Sequence, residues 1–548
     1  MNGNAKREQI DDGDHLFRIA MLLVLAMIGN HIWKKVGPWY YAHQFQIILL
    51  GSTILIALTA VALSYLWNYY VEHIDYNRSI TAESDDAVLL GRDEKGREVF
   101  LKEQFRTLHA QIIGTTSAGK TESVVLPWAI HDIERGSGLL IVDGKADTSF
   151  LDKLYSYVVK SHREDDFRFF SLAHIRQSSV FNPLQEGSSE EIAERVFSSF
   201  SIESEYYRAV QYRLFLAALY LLKAANVPAS MAAVEKLFVD AAFLEAALGL
   251  ANGATFAKAL QDYSKMPDDK RWELSSGLTS NLGHFTSGDH AVLFNGDGQR
   301  ISFERALTKN HICYFQLPTM RFPFLGAATG KLVLQCFQSA VSMRHLSFGG
   351  GGQPPRFFSC FLDDFQDYIY QGFGALLNKS RSANVGIAFS HQALGDIDKV
   401  GPEFRNVVTS NTNVKVVMRT LDPDTCDHFA KTFGTKSSEK MTKRRQRNAL
   451  GSHDTGEGSV REVEEYRYHP NVIKNLCRGE GVVSIPHPKG VKTLKISFLK
   501  REDLPRRSLP EVQKMLPDVV LSNLNAAQTK ATCTMATSEK KEPSDEKT

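Results

Sequence analysis

Two long apolar runs open the chain. The run at residues 45–67, FQIILLGSTILIALTAVALSYLW, carries no charge and is long enough to cross a bilayer as a helix. The run at residues 16–33 is shorter and contains Arg18. A cleaved signal peptide is its competing interpretation, but the small-residue cleavage site is missing. We therefore predict an N-terminal transmembrane anchor at residues 1–75, with two spans at about 16–33 and 45–67.

Beyond the anchor, short runs of consecutive apolar residues recur along the chain. Such runs are typical of strands that are buried on both faces, as in a parallel sheet covered by helices. The runs are AQII (110–113), LLIVD (139–143), FRFFSL (167–172), ICYFQL (312–317), FFSCFL (357–362), VGIAF (385–389) and VKVVM (414–418). The sequence therefore predicts an α/β fold.

A third pattern fills the gap of about 140 residues between the third and fourth runs. Residues 205–225 and 230–251 are amphipathic and rich in Ala, Leu and Glu, which predicts helices and an inserted all-α domain. The final residues turn polar, so we expect disorder from about residue 525. The predicted domains are a nucleotide-binding domain in two parts (80–185 and 301–505), the all-α insertion (186–300) and a C-terminal tail (506–548).

Charge and cysteine content narrow the function classes. The net charge is +2 over 548 residues, which excludes a protein that binds nucleic acid through its overall charge. The six cysteines contain no CxxC pair, so we expect free thiols and no zinc site. One local patch is strongly basic: Lys and Arg cluster at 436–447, KSSEKMTKRRQR, which we interpret as a polar loop. It could bind phosphates, or it could be one solvated loop.

One Gly-rich stretch predicts a nucleotide site. Residues 114–121, GTTSAGKT, fit the phosphate-binding pattern G-x-x-x-x-G-K-(S/T) at every fixed position, between a predicted strand and a predicted helix. Backbone N–H groups of such a loop turn toward the phosphates of ATP, Lys120 reaches the β- and γ-phosphates, and Thr121 ligates Mg²⁺. The predicted binding residues are Gly114, Thr115, Thr116, Ser117, Ala118, Gly119, Lys120 and Thr121.

A hydrolase also needs carboxylates, and RFFSCFLDDFQ (356–366) supplies two at a strand end. We predict that Asp363 orients the Mg²⁺ shell and that Asp364 polarises the attacking water. Most ATPase motors with such a phosphate loop have Glu at the second position of this acidic pair, and the side chain of Asp364 is one methylene shorter than Glu.

Three further polar residues follow predicted strands. Gln392 comes directly after VGIAFSH and could sense the γ-phosphate, or could simply cap the strand. Arg419 follows VKVVM, and Arg381 precedes the strand at 385; either could stabilise transition-state charge, also on a neighbouring subunit's nucleotide, or form a surface ion pair. The segment LLIVDGKAD (139–147) is interpreted as support for the edge of the site, with no catalytic role.

Together these segments resemble the TraD/TraG-type coupling ATPases of type IV secretion and bacterial conjugation. The resemblance covers about residues 85–500, and DGKAD is most similar to the branch of IncI-type conjugation and Dot/Icm-type secretion. The matching segments are LHAQIIGTTSAGKTE, IVDGKAD, FNPL (181–184), GLTSNLGHFTSG (277–288), FLDDF, SHQALGDI, NTNVKVVMRTLDPDT (411–425) and HPNVIKNLCRGEGVV (469–483).

The resemblance implies a RecA-like P-loop motor with two membrane spans, assembled as a homo-hexamer in the bacterial inner membrane with its soluble part in the cytoplasm. It also implies a function: recruiting single-stranded DNA and its relaxase to a type IV secretion channel, with ATP hydrolysis driving transfer. The alternative is a receptor for protein effectors, in which ATP binding mainly supports ring assembly. The short polar tail favours DNA as the substrate.

Overall fold

The computed structural model describes residues 12–81, 86–200, 202, 204–251, 255–348, 355–370, 372–448, 451–487 and 490–516. The disorder expected from about residue 525 therefore concerns residues outside the described part. The chain divides into two compact units, Met1–Ile80 and Thr81–Thr548.

The described part of the first unit is one continuous helix, α1 (Asp12–Thr81), with Pro38 in its interior. Among the described residues, one helical stretch, Tyr41–Trp67, is long and apolar enough to cross a membrane, and its described side chains are exposed. The predicted hairpin of two spans is not supported, because the backbone stays helical through 34–44, where a hairpin needs a turn. Pro38 alone does not stop the helix, since one proline removes a single backbone hydrogen bond.

The second unit is built on a sheet in which eleven of the described strands take part, in the order β2-β1-β14-β13-β10-β3-β9-β8-β4-β7-β5. The strands are β1 (Ala87–Asp93), β2 (Glu98–Lys102), β3 (Ala110–Ile113), β4 (Gly138–Asp143), β5 (Phe167–Ser171), β6 (Asp297–Gly298), β7 (Ile312–Gln316), β8 (Phe358–Asp363), β9 (Val385–His391), β10 (Val414–Met418), β11 (Thr435–Asn448), β12 (Gly451–Tyr466), β13 (Glu480–His487), β14 (Gly490–Phe498) and β15 (Lys514–Met515).

The part of the sheet from β10 to β5 is parallel throughout. Its seven strands are the seven apolar runs predicted as strands, and their side chains are buried on both faces apart from one half-buried position in β5. This confirms the predicted α/β class. The remaining four strands pair antiparallel at one edge.

Helices cover the sheet and fill the segment between β5 and β6. After α1 they are α2 (Glu103–Arg106), α3 (Leu126–Glu134), α4 (Thr148–Lys160), α5 (Ser189–Ser199), α6 (Glu205–Ala224), α7 (Met231–Val239), α8 (Ala241–Ala251), α9 (Lys258–Ser264), α10 (Asp268–Thr286), α11 (Ala291–Asn295), α12 (Phe303–Lys309), α13 (Pro323–Phe348), α14 (Phe373–Ser380), α15 (Gly395–Asp398), α16 (Pro402–Ser410), α17 (Pro423–Thr432) and α18 (Pro470–Lys474).

Helices α5 to α11 share one hydrophobic core with the sheet. Phe170 of β5 packs edge-to-face on Phe294 of α11, with ring centroids 5.5 Å apart, and Phe181 packs on Phe315 of β7 at 5.2 Å. Such aromatic pairs contribute about 0.5–1.5 kcal/mol each beyond the area they bury. The helical segment is therefore fixed to the sheet through packed rings.

The basic segment at 436–447 is part of strand β11, so its prediction as a loop is wrong. Strand β11 pairs antiparallel with β12, whose final residues are acidic. Lys436 lies opposite Glu465, and the Thr435 hydroxyl donates to Glu464 at 3.3 Å. Cross-strand pairs of opposite charge stabilise a ladder that charge density alone would disfavour.

A buried ion pair joins α2, α3 and β8. Both terminal nitrogens of Arg106 donate to the carboxylate of Asp132 at 2.6 Å, and the Ser359 hydroxyl donates to the same carboxylate at 2.6 Å. The guanidinium also stacks over Phe357, 4.7 Å from the ring centroid. Two charges buried this way tolerate the loss of neither partner, because the other would stay charged without a counter-ion.

We expect Asp132→Asn to lower the free energy of unfolding by about 3–5 kcal/mol, because it leaves the Arg106 cation buried and unpaired. Urea unfolding of the detergent-solubilised chain, followed by tryptophan fluorescence, measures the loss. The matched control is Glu98→Gln, which breaks an exposed ion pair to Arg92 at 3.3 Å and should cost less than about 1 kcal/mol. Equal losses in the two variants would contradict this account of the buried pair.

Candidate nucleotide-binding site

The predicted phosphate loop, Gly114–Thr121, leaves the carboxyl end of β3 in the middle of the parallel sheet. Gly119 has φ +96°, a conformation that side chains disfavour. A Cβ on Gly114 would lie 3.0 Å from the Cβ of Met418 and 3.1 Å from that of Ala118. The loop then enters a helical turn at Thr121–Val125 that continues into α3. Both fixed glycines of the pattern thus have a structural reason.

The side chains of Lys120 and Thr121 contact different partners. The Lys120 ammonium is buried and donates to the carbonyl oxygen of Gly114 at 2.6 Å. Burial lowers the pKa of Lys120, and the nearby Asp363 carboxylate partly opposes that effect. The Thr121 hydroxyl donates to Oδ2 of Asp363 at 2.7 Å, and the Ser390 hydroxyl donates to Oδ1. The loop and the acidic pair therefore meet directly.

Asp363 and Asp364 lie at the carboxyl end of β8, and β9 separates β8 from β3 in the sheet. Both side chains are buried. Asp364 has a left-handed backbone, with φ 49°, a conformation that few residues other than glycine adopt. Burial and the adjacent Asp363 raise the pKa of Asp364, while the Lys145 ammonium, 2.6 Å from Oδ2, opposes the rise. Outliers of this kind cluster at functional sites.

Lys145 makes a contact with Asp364 that the sequence analysis did not predict. It follows β4, which pairs with β8 so that Asp143 and Asp363 are direct register partners. That register brings the loop after β4 over the acidic pair, where sequence analysis had placed only supporting residues. The available signal was a lysine two residues beyond a strand that ends in aspartate.

The Asp143 carboxylate organises that loop. It accepts the backbone N–H groups of Lys145 at 2.9 Å, Ala146 at 3.1 Å and Asp147 at 2.9 Å, and the hydroxyl of Tyr314 at 2.9 Å. Burial, with the Asp363 carboxylate next in effect, raises the pKa of Asp143 to about 6.

The other predicted residues are placed around the same edge with one exception. Gln392 directly follows β9, whose last residue, His391, accepts the N–H of Gly114 at 3.3 Å through its carbonyl oxygen. Arg419 donates to the Ser117 hydroxyl at 2.9 Å, so it contacts the phosphate loop of its own chain. Arg381 precedes β9 and therefore lies at the amino-terminal ends of the parallel strands, whereas the phosphate loop lies at their carboxyl ends.

The residues present fit a nucleotide with Mg²⁺. A threonine hydroxyl and a carboxylate already lie 2.7 Å apart at the end of the phosphate loop, and both are oxygen ligands that Mg²⁺ accepts. Among the described residues no group of three or more His, Cys, Asp or Glu could hold a metal by itself. Mg²⁺ bound with a nucleotide usually takes its other ligands from phosphates and water.

Sequence comparisons point to one family. Residues 358–474 match the family described as the TraM recognition site of TraD and TraG. The type 4 coupling protein DotL of Legionella pneumophila is 25% identical over 505 residues, which is 78% of this chain and 64% of DotL. The chain therefore spans less than two thirds of the length of this curated relative.

Structural comparisons show the fold. The unbound conjugative coupling protein TrwBΔN70 aligns with a TM-score of 0.58 at 15% identity, over 79% of this chain and 93% of the TrwBΔN70 chain. TrwB in complex with ADP and Mg²⁺ aligns with a TM-score of 0.54 at 16% identity, over 78% of this chain and 93% of TrwB. These alignments confirm the predicted RecA-like P-loop architecture.

Proposed function

From the confirmed resemblance to the type IV coupling proteins, we propose that this chain is a membrane-anchored coupling ATPase of a type IV secretion system. It hydrolyses ATP at the loop 114–121 and uses the cycle to drive a substrate into the secretion channel. The observation that supports this best is the 2.7 Å contact between Thr121 and Asp363, because it joins the phosphate loop to the acidic pair.

Each residue of the site has a defined task in this proposal. The backbone of Gly114–Thr121 and the Lys120 ammonium bind the phosphates, and Thr121 and Asp363 hold the metal. When bound, Mg²⁺ would neutralise negative charge on the phosphate oxygens. Asp364 accepts a hydrogen bond from the attacking water, and Gln392 contacts the γ-phosphate. Arg419 steadies the loop through Ser117 and stabilises charge in the transition state.

The location follows from helix α1 and from the chemistry. Tyr41–Trp67 has the length and apolarity of a membrane span, so we propose one anchoring span in the bacterial inner membrane. ATP is cytosolic, which requires the second unit to face the cytoplasm. We further propose a homo-hexameric ring, the assembly that the family resemblance implies.

The proposed substrate is single-stranded DNA with its relaxase, presented to the channel components of the secretion system. The basic sequence of strand β11 supports DNA as the substrate, because six copies of it in a ring would provide many cations that could bind phosphates. The adaptor alternative, a receptor for protein effectors that uses ATP mainly to assemble, makes different predictions for the variants below. ATPase activity of the solubilised full chain with and without single-stranded DNA, together with its mass in solution, tests the proposal directly.

Lys120→Ala should abolish ATP hydrolysis and substrate transfer while the protein stays in the membrane, because the γ-phosphate loses its cation. Phosphate release and complementation of a donor strain lacking the protein measure the two effects. The control is Lys309→Ala, which removes an exposed lysine at the end of α12. Normal transfer by Lys120→Ala would leave the adaptor alternative and refute the motor.

Asp364→Asn should bind ATP normally but hydrolyse it at least about a hundredfold more slowly, the lower end of the loss of a general base. Binding of a fluorescent ATP analogue and steady-state turnover separate these two properties. Asp398→Asn, which breaks a surface ion pair to Arg405 at 3.3 Å, is the matched control. Wild-type turnover in Asp364→Asn would remove that residue from the mechanism.

Neutralising four basic residues of β11 should flatten the salt dependence of DNA binding. Replacing Lys443, Arg444, Arg445 and Arg447 by Gln should lower the slope of log K against log salt by about 3, since each contact with single-stranded DNA contributes about 0.7.

The control for that experiment replaces four exposed lysines that are scattered over the second unit. They are Lys258, Lys309, Lys379 and Lys431. The slope of this control should stay close to that of the wild type. An unchanged slope in the β11 variant would mean that the strand does not contact DNA.

A further inference from the structure

We propose that Lys145 is a positioning residue of the ATPase site, which holds one carboxylate oxygen of Asp364 and leaves the other to accept a hydrogen bond from water. The inference rests on the proposed function and adds to it a residue outside the phosphate loop and the acidic pair.

The two oxygens of Asp364 are in different surroundings. Oδ2 lies 2.6 Å from the Lys145 ammonium. Oδ1 is buried and has no hydrogen-bond partner within the described part of the chain. A buried carboxylate oxygen without a partner is costly in a purely structural role. The arrangement is what a water-binding oxygen requires, since a partner from the protein would compete with the water.

The loop that carries Lys145 is held from several sides. Asp143 accepts the three successive N–H groups of Lys145, Ala146 and Asp147. Ala146 takes a left-handed backbone at φ 61°, which costs about 1–3 kcal/mol in a residue that has a side chain. Asp147 in turn caps α4 by accepting the N–H of Ser149 at 2.9 Å. The chain therefore accepts strain to set the position of Lys145.

The exposures of the two partners differ in a way that favours a functional contact. The Lys145 side chain is 37% exposed, whereas that of Asp364 is 4% exposed. The partly exposed Lys145 side chain extends inward to the buried carboxylate of Asp364. Removing it would therefore leave the packing of the core unchanged and alter only the surroundings of the carboxylate.

The charges around Asp364 explain why it needs a second lysine. Asp143 and Asp363 lie on the same sheet edge, and Lys120 is the other cation that both Asp363 and Asp364 attract. Without Lys145, Lys120 would still attract the Asp364 carboxylate, although Lys120 must also bind phosphate. Lys145 keeps the phosphate-binding lysine and the water-binding carboxylate apart.

The test compares Lys145→Met, which keeps length without charge, with Lys145→Arg, which keeps the charge, both in the detergent-solubilised full chain. We expect Lys145→Met to keep its affinity for a fluorescent ATP analogue within about threefold while kcat falls about a hundredfold, the size of a misplaced reacting group. Lys145→Arg should recover most of the lost turnover. Lys495→Met, which breaks the ion pair to Glu480 at 3.3 Å, is the matched control and should leave kcat unchanged.

A double-mutant cycle with Asp364→Asn gives the decisive measurement. If Lys145 acts through Asp364, the double variant should be about as slow as Asp364→Asn alone, because coupled residues are not additive. Additive losses, an unchanged kcat in Lys145→Met, or a loss of affinity as large as the loss of turnover would each overturn the inference. The proposed function fails separately, if Lys120→Ala retains hydrolysis.

Discussion

The contact between the Thr121 hydroxyl and the Asp363 carboxylate is the constraint on which the site depends. The two residues are 242 positions apart in the chain. They meet because β3, β9 and β8 are neighbouring parallel strands, so that the carboxyl ends of all three strands lie on the same side of the sheet. Any shift in strand order or register would separate the phosphate loop from its acidic partner. The buried strands and the Arg106–Asp132 pair, which ties α3 to α2 near β8, hold that register.

The same end of the sheet brings charges of both signs together. Asp143, Asp363 and Asp364 come together there, and Lys120 and Lys145 are the cations beside them. The Asp143 carboxylate accepts backbone N–H groups, so it shapes the loop that carries Lys145. A division of tasks follows, in which one acid builds the loop and two acids face the phosphate loop.

Much of this could be predicted from the sequence, because the parallel strands are continuous apolar runs and the phosphate loop has a fixed spacing. The antiparallel edge strands were missed, because strands such as β14 lack the continuous run of buried positions on which the prediction relied; only three of its nine positions are buried. Strand β11 was predicted as a loop because its acidic partner lies in another segment of the chain. Lys145 was assigned to the edge of the site, because only the register of β4 with β8 brings it to Asp364. The predicted helical hairpin is not supported, because the backbone stays helical through Gly37 and Pro38.

Most ATPase motors of the type that this chain resembles have glutamate at the position of Asp364. An aspartate has one rotatable bond fewer, so its carboxylate position is set mainly by its backbone. In this chain that backbone is left-handed, and Lys145 holds one of the two oxygens. The aspartate side chain is shorter than glutamate, but its carboxylate is held in one orientation. Because a glutamate at 364 would be one methylene longer, its carboxylate could not occupy the place from which Asp364 contacts Lys145 at 2.6 Å without a change of conformation.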